Sequence, residues 1–299
     1  MQKIIIDCDP GVDDALAIFL ALASSSEIEV LGITCVRGNV ALDKTYANAR
    51  RICAEARRLD IPVLKGASRP VFEANPVNAG VHGADGLGDI GLPPAPPPNS
   101  SQHAVSFILE QVNRFPGEVI LCPIGPMTNV ALALMLDEDV AGKLQSIVFM
   151  GGAAYVPGNM NAHAEFNFMA DPHAAEVMMR AKVPMVMFGL DVTHKATILP
   201  EHLARLRANG NACSLVSERL LSAYSVGDLH LHDPCVIAWL LEPTLFSGVQ
   251  SQVSVVAEPG PDYGRSVATP SGAGNCLVMT DVDHDRLFDL LLSRLETLP

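Results

Sequence analysis

The stretch IIIDCDPGVDDALAIFLAL, residues 4–22, places four aspartates between two apolar runs. The first run is rich in β-branched residues without polar alternation, which is typical of a strand buried on both faces. The second run has helical spacing, and the acids at its start suit the positive end of a helix dipole. A buried strand that leads through a short turn into a helix is the opening unit of an α/β sheet.

The same alternation continues along the chain. Strand-like runs are predicted at 28–36, 61–66, 118–123, 146–152 and 183–191, and helical segments at 40–59, 101–114, 128–136, 172–181 and 200–224. QVSVVAE (252–258) and CLVMTDVD (276–283) are predicted as strands of an antiparallel edge, and 283–295 as an amphipathic helix. The pattern predicts one α/β domain over residues 1–299, with a mostly parallel central sheet flanked by helices in an open, Rossmann-like arrangement.

Composition narrows the function. The net charge is −13 with scattered Lys and Arg, which argues against binding nucleic acid or an anionic membrane. Seven cysteines show no CxxC pair, and no apolar run reaches the length of a membrane span. We therefore expect a cytoplasmic protein with a small-molecule ligand.

The opening acids lie where ligands bind in such sheets, outside the carboxyl end of a strand. Asp9, Asp13 and Asp14 are hard oxygen ligands at a spacing that suits Ca²⁺ or Mg²⁺, and Pro10-Gly11 supplies the turn that folds Asp9 back. The alternative is helix capping, with Asp13 as the N-cap. Capping accounts for one or two acids but not three, which favours a metal site.

A second polar group follows the predicted strand at 146–152. The segment GNMNAHAEFN brings Asn159, Asn161, Glu165 and Asn167 to a strand end, and such groups hydrogen-bond sugar hydroxyls. The alternative is a turn-rich surface loop, because Asn and Gly are ordinary turn residues.

Five further residues are weaker candidates. In HLHDP, His232 is a candidate general acid, and Asp233 is either a fourth carboxylate for the metal or the orienter of a base, although Asp-Pro is also a common helix start. Asn39 and Thr128 are equally well explained as turn or cap residues. His82 lies in a glycine-rich loop that we expect to be mobile enough to act as a lid.

Taken together, these motifs resemble the nucleoside hydrolase family. The resemblance rests on DCDPGVDDA at 7–15, GN at 38–39, TN at 128–129, MGG…GN…AEFN…DP…AA at 150–175 and HDP at 232–234. The match covers nearly the whole chain in the right order. It implies a single α/β domain, one bound Ca²⁺, a homodimer or homotetramer, and hydrolysis of the N-glycosidic bond of ribonucleosides to free base and ribose.

The resemblance also implies residue roles. Calcium ligands would be Asp9, Asp14, the Thr128 carbonyl and Asp233, while Asp9 would be the general base and His232 the leaving-group acid. Positions expected to bind the substrate are Asp13, Asn39, His82, Met150, Asn159, Glu165 and Asn167. Asp7 is expected to support the other acids from behind.

The base preference follows from a departure from the family pattern. Purine-selective members stack the base between tryptophans, whereas the single tryptophan here, Trp239, lies in an apolar helical segment and is expected in the core. Together with His232, this favours a pyrimidine-preferring or broad-specificity enzyme. The alternatives are a nucleoside- or ribose-binding protein without turnover, and a haloacid-dehalogenase-type phosphohydrolase that uses Asp7-Cys8-Asp9.

Overall fold

A nine-stranded sheet forms the centre of the molecule. The computed structural model describes residues 1–72, 80–224 and 227–299. Its strands are β1 (Gln2–Cys8), β2 (Ile28–Cys35), β3 (Val63–Lys65), β4 (Val119–Pro123), β5 (Leu144–Met150), β6 (Met185–Phe188), β7 (Phe246–Val255), β8 (Ser266–Pro270) and β9 (Cys276–Val282). The spatial order is β3-β2-β1-β4-β5-β6-β9-β7-β8.

The sheet is mostly parallel, as predicted. Strands β1 to β6 and β9 pair in parallel, and β7 runs antiparallel to both β9 and β8. β1 lies in the middle and hydrogen-bonds β2 on one side and β4 on the other. The two-sided burial expected from its apolar run is confirmed, because Ile4, Ile5 and Ile6 are all fully buried.

Helices cover both faces of the sheet. They are α1 (Val12–Ala23), α2 (Leu42–Glu55), α3 (Ala104–Arg114), α4 (Thr128–Leu136), α5 (Val140–Lys143), α6 (Phe166–Ala170), α7 (Pro172–Met179), α8 (Leu190–Thr193), α9 (Pro200–Asn209), α10 (Ala212–Tyr224), α11 (Pro234–Leu241) and α12 (His284–Leu295). Ile4 and Ile6 belong to the core shared with α1, whereas Ile5 points into the core shared with α3 and α4. The strand alternation therefore divides the apolar interior into two layers.

Three details differ from the sequence prediction. The helix predicted over 200–224 is broken at Gly210, whose φ of 75° is the left-handed conformation that ends α9. β9 pairs antiparallel with β7, as predicted, but it also pairs in parallel with β6, and the edge strand is β8. Strand β8 had no counterpart among the predicted strands, because its exposed face carries little hydrophobic pattern.

Two other expectations can be compared directly. Trp239 packs, partly buried, against the core from α11, as predicted. Among the described residues, no helix is both long enough and apolar enough to cross a bilayer.

Candidate active site

The site begins at the carboxyl ends of β1, β2 and β4, which lie side by side. Asp7, near the end of β1, accepts hydrogen bonds from Thr34 Oγ1 of β2 at 2.5 Å and from Asn129 Nδ2 of α4 at 2.8 Å. Burial raises the pKa of Asp7 to about 7, although both hydrogen bonds lower it. Asp7 thus ties the strand ends together beneath the site, which is where it was expected.

The turn after β1 folds the next acids onto each other. Asp14 Oδ2 accepts the backbone N–H of Gly11 at 2.8 Å, and Asp14 Oδ1 accepts that of Asp9 at 3.2 Å. The N-cap of α1 is Gly11, so the alternative that made Asp13 the N-cap is wrong. Asp14 accepts backbone N–H groups at the start of the helix, so the Asp13 carboxylate is not needed for capping.

Asp9 is enclosed by backbone on two sides. Its Oδ2 accepts the N–H of Asn39 at 2.6 Å, and Asn39 Nδ2 donates to the Asp9 carbonyl at 3.2 Å. A Cβ atom at Gly38 would lie 2.0 Å from Asp9 Oδ2, and one at Gly125 would lie 2.4 Å from Oδ1. Both positions therefore require glycine for the carboxylate to keep this place.

Asp233 joins these acids from a distant part of the chain. Carboxylate oxygens of Asp13, Asp14 and Asp233 lie within 4.8 Å of one another, and all three side chains are buried. Asp233 directly precedes α11, which confirms the Asp-Pro helix start, and its carboxylate lies with those of Asp13 and Asp14.

Buried carboxylates this close need a proton or a cation. Burial, with added repulsion from neighbouring acids, raises the pKa of Asp9 and Asp233 well above the ordinary value and that of Asp14 to about 7. In the described part of the chain, no Lys or Arg forms an ion pair with any of these acids. An all-oxygen group without a basic partner fits a hard divalent metal ion.

A polar wall after β5 faces the acids. Glu165 accepts three backbone N–H groups, from Gly152 at 2.7 Å, Asn167 at 2.8 Å and Phe168 at 3.2 Å. Asn167 Nδ2 donates to the carbonyl of Met150 at 3.2 Å. These bonds hold the Glu165 and Asn167 side chains beside the acids.

The two other asparagines of this segment differ. Asn159 lines the same cavity as the acids. Asn161 instead accepts the backbone N–H groups of His163 and Ala164 at 2.8 and 2.7 Å, which is a turn role.

Thr128 is not brought to this cavity. Its hydroxyl donates to Asp171 Oδ2 at 2.7 Å, and it begins α4 outside the cavity lining. Ile124, directly after β4, lines the cavity, and its carbonyl accepts Asn167 Nδ2 at 3.0 Å. The backbone oxygen that the strand end offers to this cavity is therefore that of Ile124, four residues earlier than expected.

Two aromatic rings, those of His82 and Tyr224, also line the cavity. His82 Nδ1 accepts the N–H of Val12 at 3.1 Å, and its ring stacks on Tyr224 with centroids 5.1 Å apart. Burial lowers the pKa of His82, so the ring is neutral at pH 7 and carries its proton on Nε2. Tyr224, whose role the sequence left open, keeps its phenol proton because burial raises its pKa well above 10.0.

His232 is held at both nitrogens. Nδ1 lies 2.8 Å from Thr193 Oγ1, and Nε2 lies 3.2 Å from Asp228 Oδ2. Burial lowers the pKa of His232, but the hydrogen bond to Asp228 and the charge of Asp13 outweigh it, so the net pKa is raised.

Asp228 and Thr193 were missed by the sequence reasoning. Asp228 stands four residues before His232 in a segment without regular structure, and Thr193 is 39 residues away. Only the spacing DxHxH at 228–232 was available as a signal, and it matches no general motif.

The residues predicted for substrate and chemistry, except Thr128, surround one cleft. Its lining consists of Asp9, Asp13, Asp14, Asn39, Val81, His82, Ile124, Met150, Asn159, Glu165, Phe166, Asn167, Tyr224, Asp228, His232 and Asp233. The acids, the amides, the two histidines and Tyr224 therefore share one cleft.

Comparison with known proteins agrees with this site. The family model described as inosine-uridine preferring nucleoside hydrolase matches residues 4–289. The chain belongs to the nucleoside hydrolase family. The pyrimidine-specific ribonucleoside hydrolase RihA of Salmonella typhimurium is 40% identical over 308 residues, covering 98% of each chain. RihA of Shewanella woodyi is 39% identical over 309 residues, covering 99% of this chain and 98% of its own.

Solved nucleoside hydrolases share the fold. The plant nucleoside hydrolase PpNRh1 superposes with a TM-score of 0.92 at 30% identity, covering 98% of each chain. The purine-preferring ribonucleoside hydrolase of Gardnerella vaginalis gives a TM-score of 0.92 at 31% identity, covering 99% of this chain and 98% of its own. The nucleoside hydrolase described here is therefore an N-glycosyl hydrolase, and the phosphohydrolase alternative is not supported.

The carboxylate group predicts a pH-dependent stabilisation by divalent cations. The folded protein holds Asp9, Asp14 and Asp233 at raised pKa values. It therefore binds more protons than the unfolded chain between about pH 4 and pH 7. Without cation, the free energy of unfolding should fall as pH rises through that window. A divalent cation should therefore raise Tm by about 5 °C or more at pH 8, and by less at pH 5.5. Differential scanning calorimetry with and without chelator measures this, and an equal shift at both pH values would contradict it.

The glycine beside Asp9 gives a second prediction. Gly38→Ala should push the Asp9 carboxylate from the Asn39 N–H and lower kcat/KM by about 100-fold, since misplacing a reacting group by an ångström has that effect. Gly142→Ala in α5 is the matched control, because a Cβ there meets nothing within 4 Å. Full activity in Gly38→Ala would show that the close approach has no consequence.

Proposed function

We propose that this nucleoside hydrolase cleaves pyrimidine ribonucleosides to base and ribose and depends on bound Ca²⁺. The observation that carries the proposal is the buried acidic group, which shares one cleft with the polar wall and His232 and has no Lys or Arg partner among the described residues. Ribose offers hydroxyl groups that such a wall can hydrogen-bond, and the glycosidic bond then lies between the acids and the imidazole.

The metal ligands in this proposal are Asp9, Asp14, Asp233 and the Ile124 carbonyl. All are hard oxygens on rigid strand or helix ends, and a site with several carboxylates and a backbone carbonyl suits Ca²⁺. When bound, the ion neutralises the acids and helps orient hydroxyl groups and water. The predicted Thr128 carbonyl is replaced here by that of Ile124, because only the latter residue lines the cleft.

The ribose end is assigned to Asp13, Asn39, Asn159, Glu165 and Asn167. Carboxylates accept hydrogen bonds from hydroxyl groups, and amides both donate and accept them, so the set can hold a sugar in one orientation. Within the described residues, the cleft has no Lys or Arg in its lining. Nothing there neutralises a phosphate, which favours nucleosides over nucleotides.

Hydrolysis of the glycosidic bond passes through a sugar with oxocarbenium character. Asp9, fixed by the Asn39 N–H, accepts the proton of the attacking water. The negative charges of the acids favour the positive charge that develops on the sugar. His232 donates a proton to the departing base.

A pyrimidine preference is supported by two observations. Among the described residues that line the cleft, the aromatic side chains besides the histidines are Phe166 and Tyr224. The single tryptophan, Trp239, is partly buried against the core and does not line the cleft. The bacterial relatives at about 40% identity carry the name pyrimidine-specific ribonucleoside hydrolase. The predicted homodimer or homotetramer and the cytoplasmic location stay predictions.

The test is a reducing-sugar assay on uridine, cytidine, inosine, adenosine and guanosine, with Ca²⁺ or with chelator. We expect pyrimidine nucleosides to release ribose faster than purine nucleosides, and chelation to abolish release. Asp9→Asn is the negative control, and its kcat should fall at least about 1,000-fold because it loses the base. Binding of nucleoside without release of ribose over hours would support the binding-protein alternative instead.

The role of His232 as the acid is tested with two substrates that differ in their leaving group. His232→Ala should lower kcat on uridine by about 100- to 10,000-fold, because the departing base needs a proton. The same variant should cleave p-nitrophenyl riboside within about tenfold of the wild-type rate, since p-nitrophenolate leaves without one. Equal losses on both substrates would remove His232 as the acid.

A further inference from the structure

Asp228 lines the cleft and has an exposed part that the support of His232 does not use. Its side chain is 21% exposed and lines the cleft together with His82 and Tyr224. In the proposed reaction His232 donates a proton to the departing base, so a carboxylate bonded to His232 lies close to that base.

The hydrogen bonds of Asp228 leave one acceptor position open. Oδ1 accepts two bonds from His230, from Nδ1 at 2.8 Å and from the backbone N–H at 2.9 Å. Among the described residues, Oδ2 is bonded by His232 Nε2 alone, at 3.2 Å. Since a carboxylate has about four lone-pair sites, Oδ2 can accept one further hydrogen bond from the cleft.

Asp228 is ionised at neutral pH. Burial raises its pKa, but hydrogen bonds from His232 and His230 outweigh burial and hold the pKa well below the ordinary value. It is therefore an acceptor without a donor. Asp228, which lines the cleft, therefore offers a base an acceptor.

This open acceptor matches the ring N–H of a uracil base. In uracil the carbonyl at C2, next to the glycosidic nitrogen, is an acceptor, and the adjacent ring N3–H is a donor. In cytosine the same edge has acceptors at both positions, so the ring nitrogen would face the Asp228 carboxylate. A site built to hydrogen-bond a ring N–H discriminates strongly against a base that lacks it.

We propose that Asp228 reads the ring N–H of the base, so that the enzyme selects uridine-type nucleosides over cytidine. Asp228 is then a specificity-determining residue that contacts the substrate, in addition to holding His232. This inference rests on the proposed function, because it assumes that the base lies beside His232.

The test compares kcat/KM for uridine, 3-methyluridine and cytidine. In the wild type we expect uridine to exceed both others by about tenfold or more, since 3-methyluridine replaces the N–H by a methyl group. In Asp228→Ala all rates should fall, but the uridine preference should shrink to within about threefold. An undiminished preference in this variant would overturn the inference and leave Asp228 as a positioning residue for His232.

Two further variants separate base reading from support of His232. Thr193→Val removes the other partner of His232 and should lower kcat for every nucleoside without changing the uridine-to-cytidine ratio. Asp228→Asn should direct its amide N–H toward the cleft, because its oxygen is needed by His230, and should shift the ratio toward cytidine. A ratio that moves equally in Thr193→Val and Asp228→Ala would contradict base reading.

A binding measurement keeps this test independent of turnover. Titration calorimetry with uracil, 3-methyluracil and cytosine on the wild-type protein should give the tightest binding for uracil, and Asp228→Ala should remove the difference. If uracil binds selectively but no nucleoside releases ribose, the proposed function fails and the assignment of Asp228 stands. If ribose is released but no base or nucleoside discrimination depends on Asp228, the assignment fails and the function stands.

Discussion

Mutual repulsion of buried carboxylates is the constraint on which the rest of the structure depends. Oxygens of Asp13, Asp14 and Asp233 lie within 4.8 Å of one another. At that distance each ionised pair costs roughly 3 to 4 kcal/mol with an effective dielectric constant of about 20. Three pairs together approach the whole stability of a typical domain, about 5–15 kcal/mol. The group can persist only with protons or with a cation, so its architecture is that of a binding site.

The parts of the fold around this group hold it against that repulsion. β1 is central and buried on both faces, so its end cannot retreat from the site. Asp14 is bonded to the backbone N–H groups of Asp9 and Gly11, and Asp9 is closed in by Gly38 and Gly125. Below them, Asp7 joins the ends of β1, β2 and α4 through Thr34 and Asn129. The rigid backbone therefore keeps the carboxylates close together against their mutual repulsion before any ligand binds.

The sequence was informative where structure is local and weak where it depends on distant contacts. The strand, turn and helix of residues 2–23 follow from hydrophobic period and turn chemistry, and these place Asp9, Asp13 and Asp14 without further information. Asn-Gly at 209–210 carried a signal for the break between α9 and α10 that the apolar pattern obscured. The Thr128 carbonyl was predicted at the cleft, but the residue that lines the cleft after β4 is Ile124. Its side chain is apolar and gives no signal of this role in the sequence. Asp228 and Thr193 meet His232 only after three separate segments have folded together.

The residues of the cleft are subject to different constraints. Asp9, Asp13 and Asp14 directly follow the central strand β1, so the sheet fixes their place. Tyr224 ends α10 and Asp228 lies in an irregular segment, and their side chains contact histidines rather than the sheet. Relatives named pyrimidine-specific and purine-preferring both match the chain over nearly its full length. Because the fold alone does not decide which base is accepted, side chains outside the sheet, Asp228 in our proposal, are the physical feature that can.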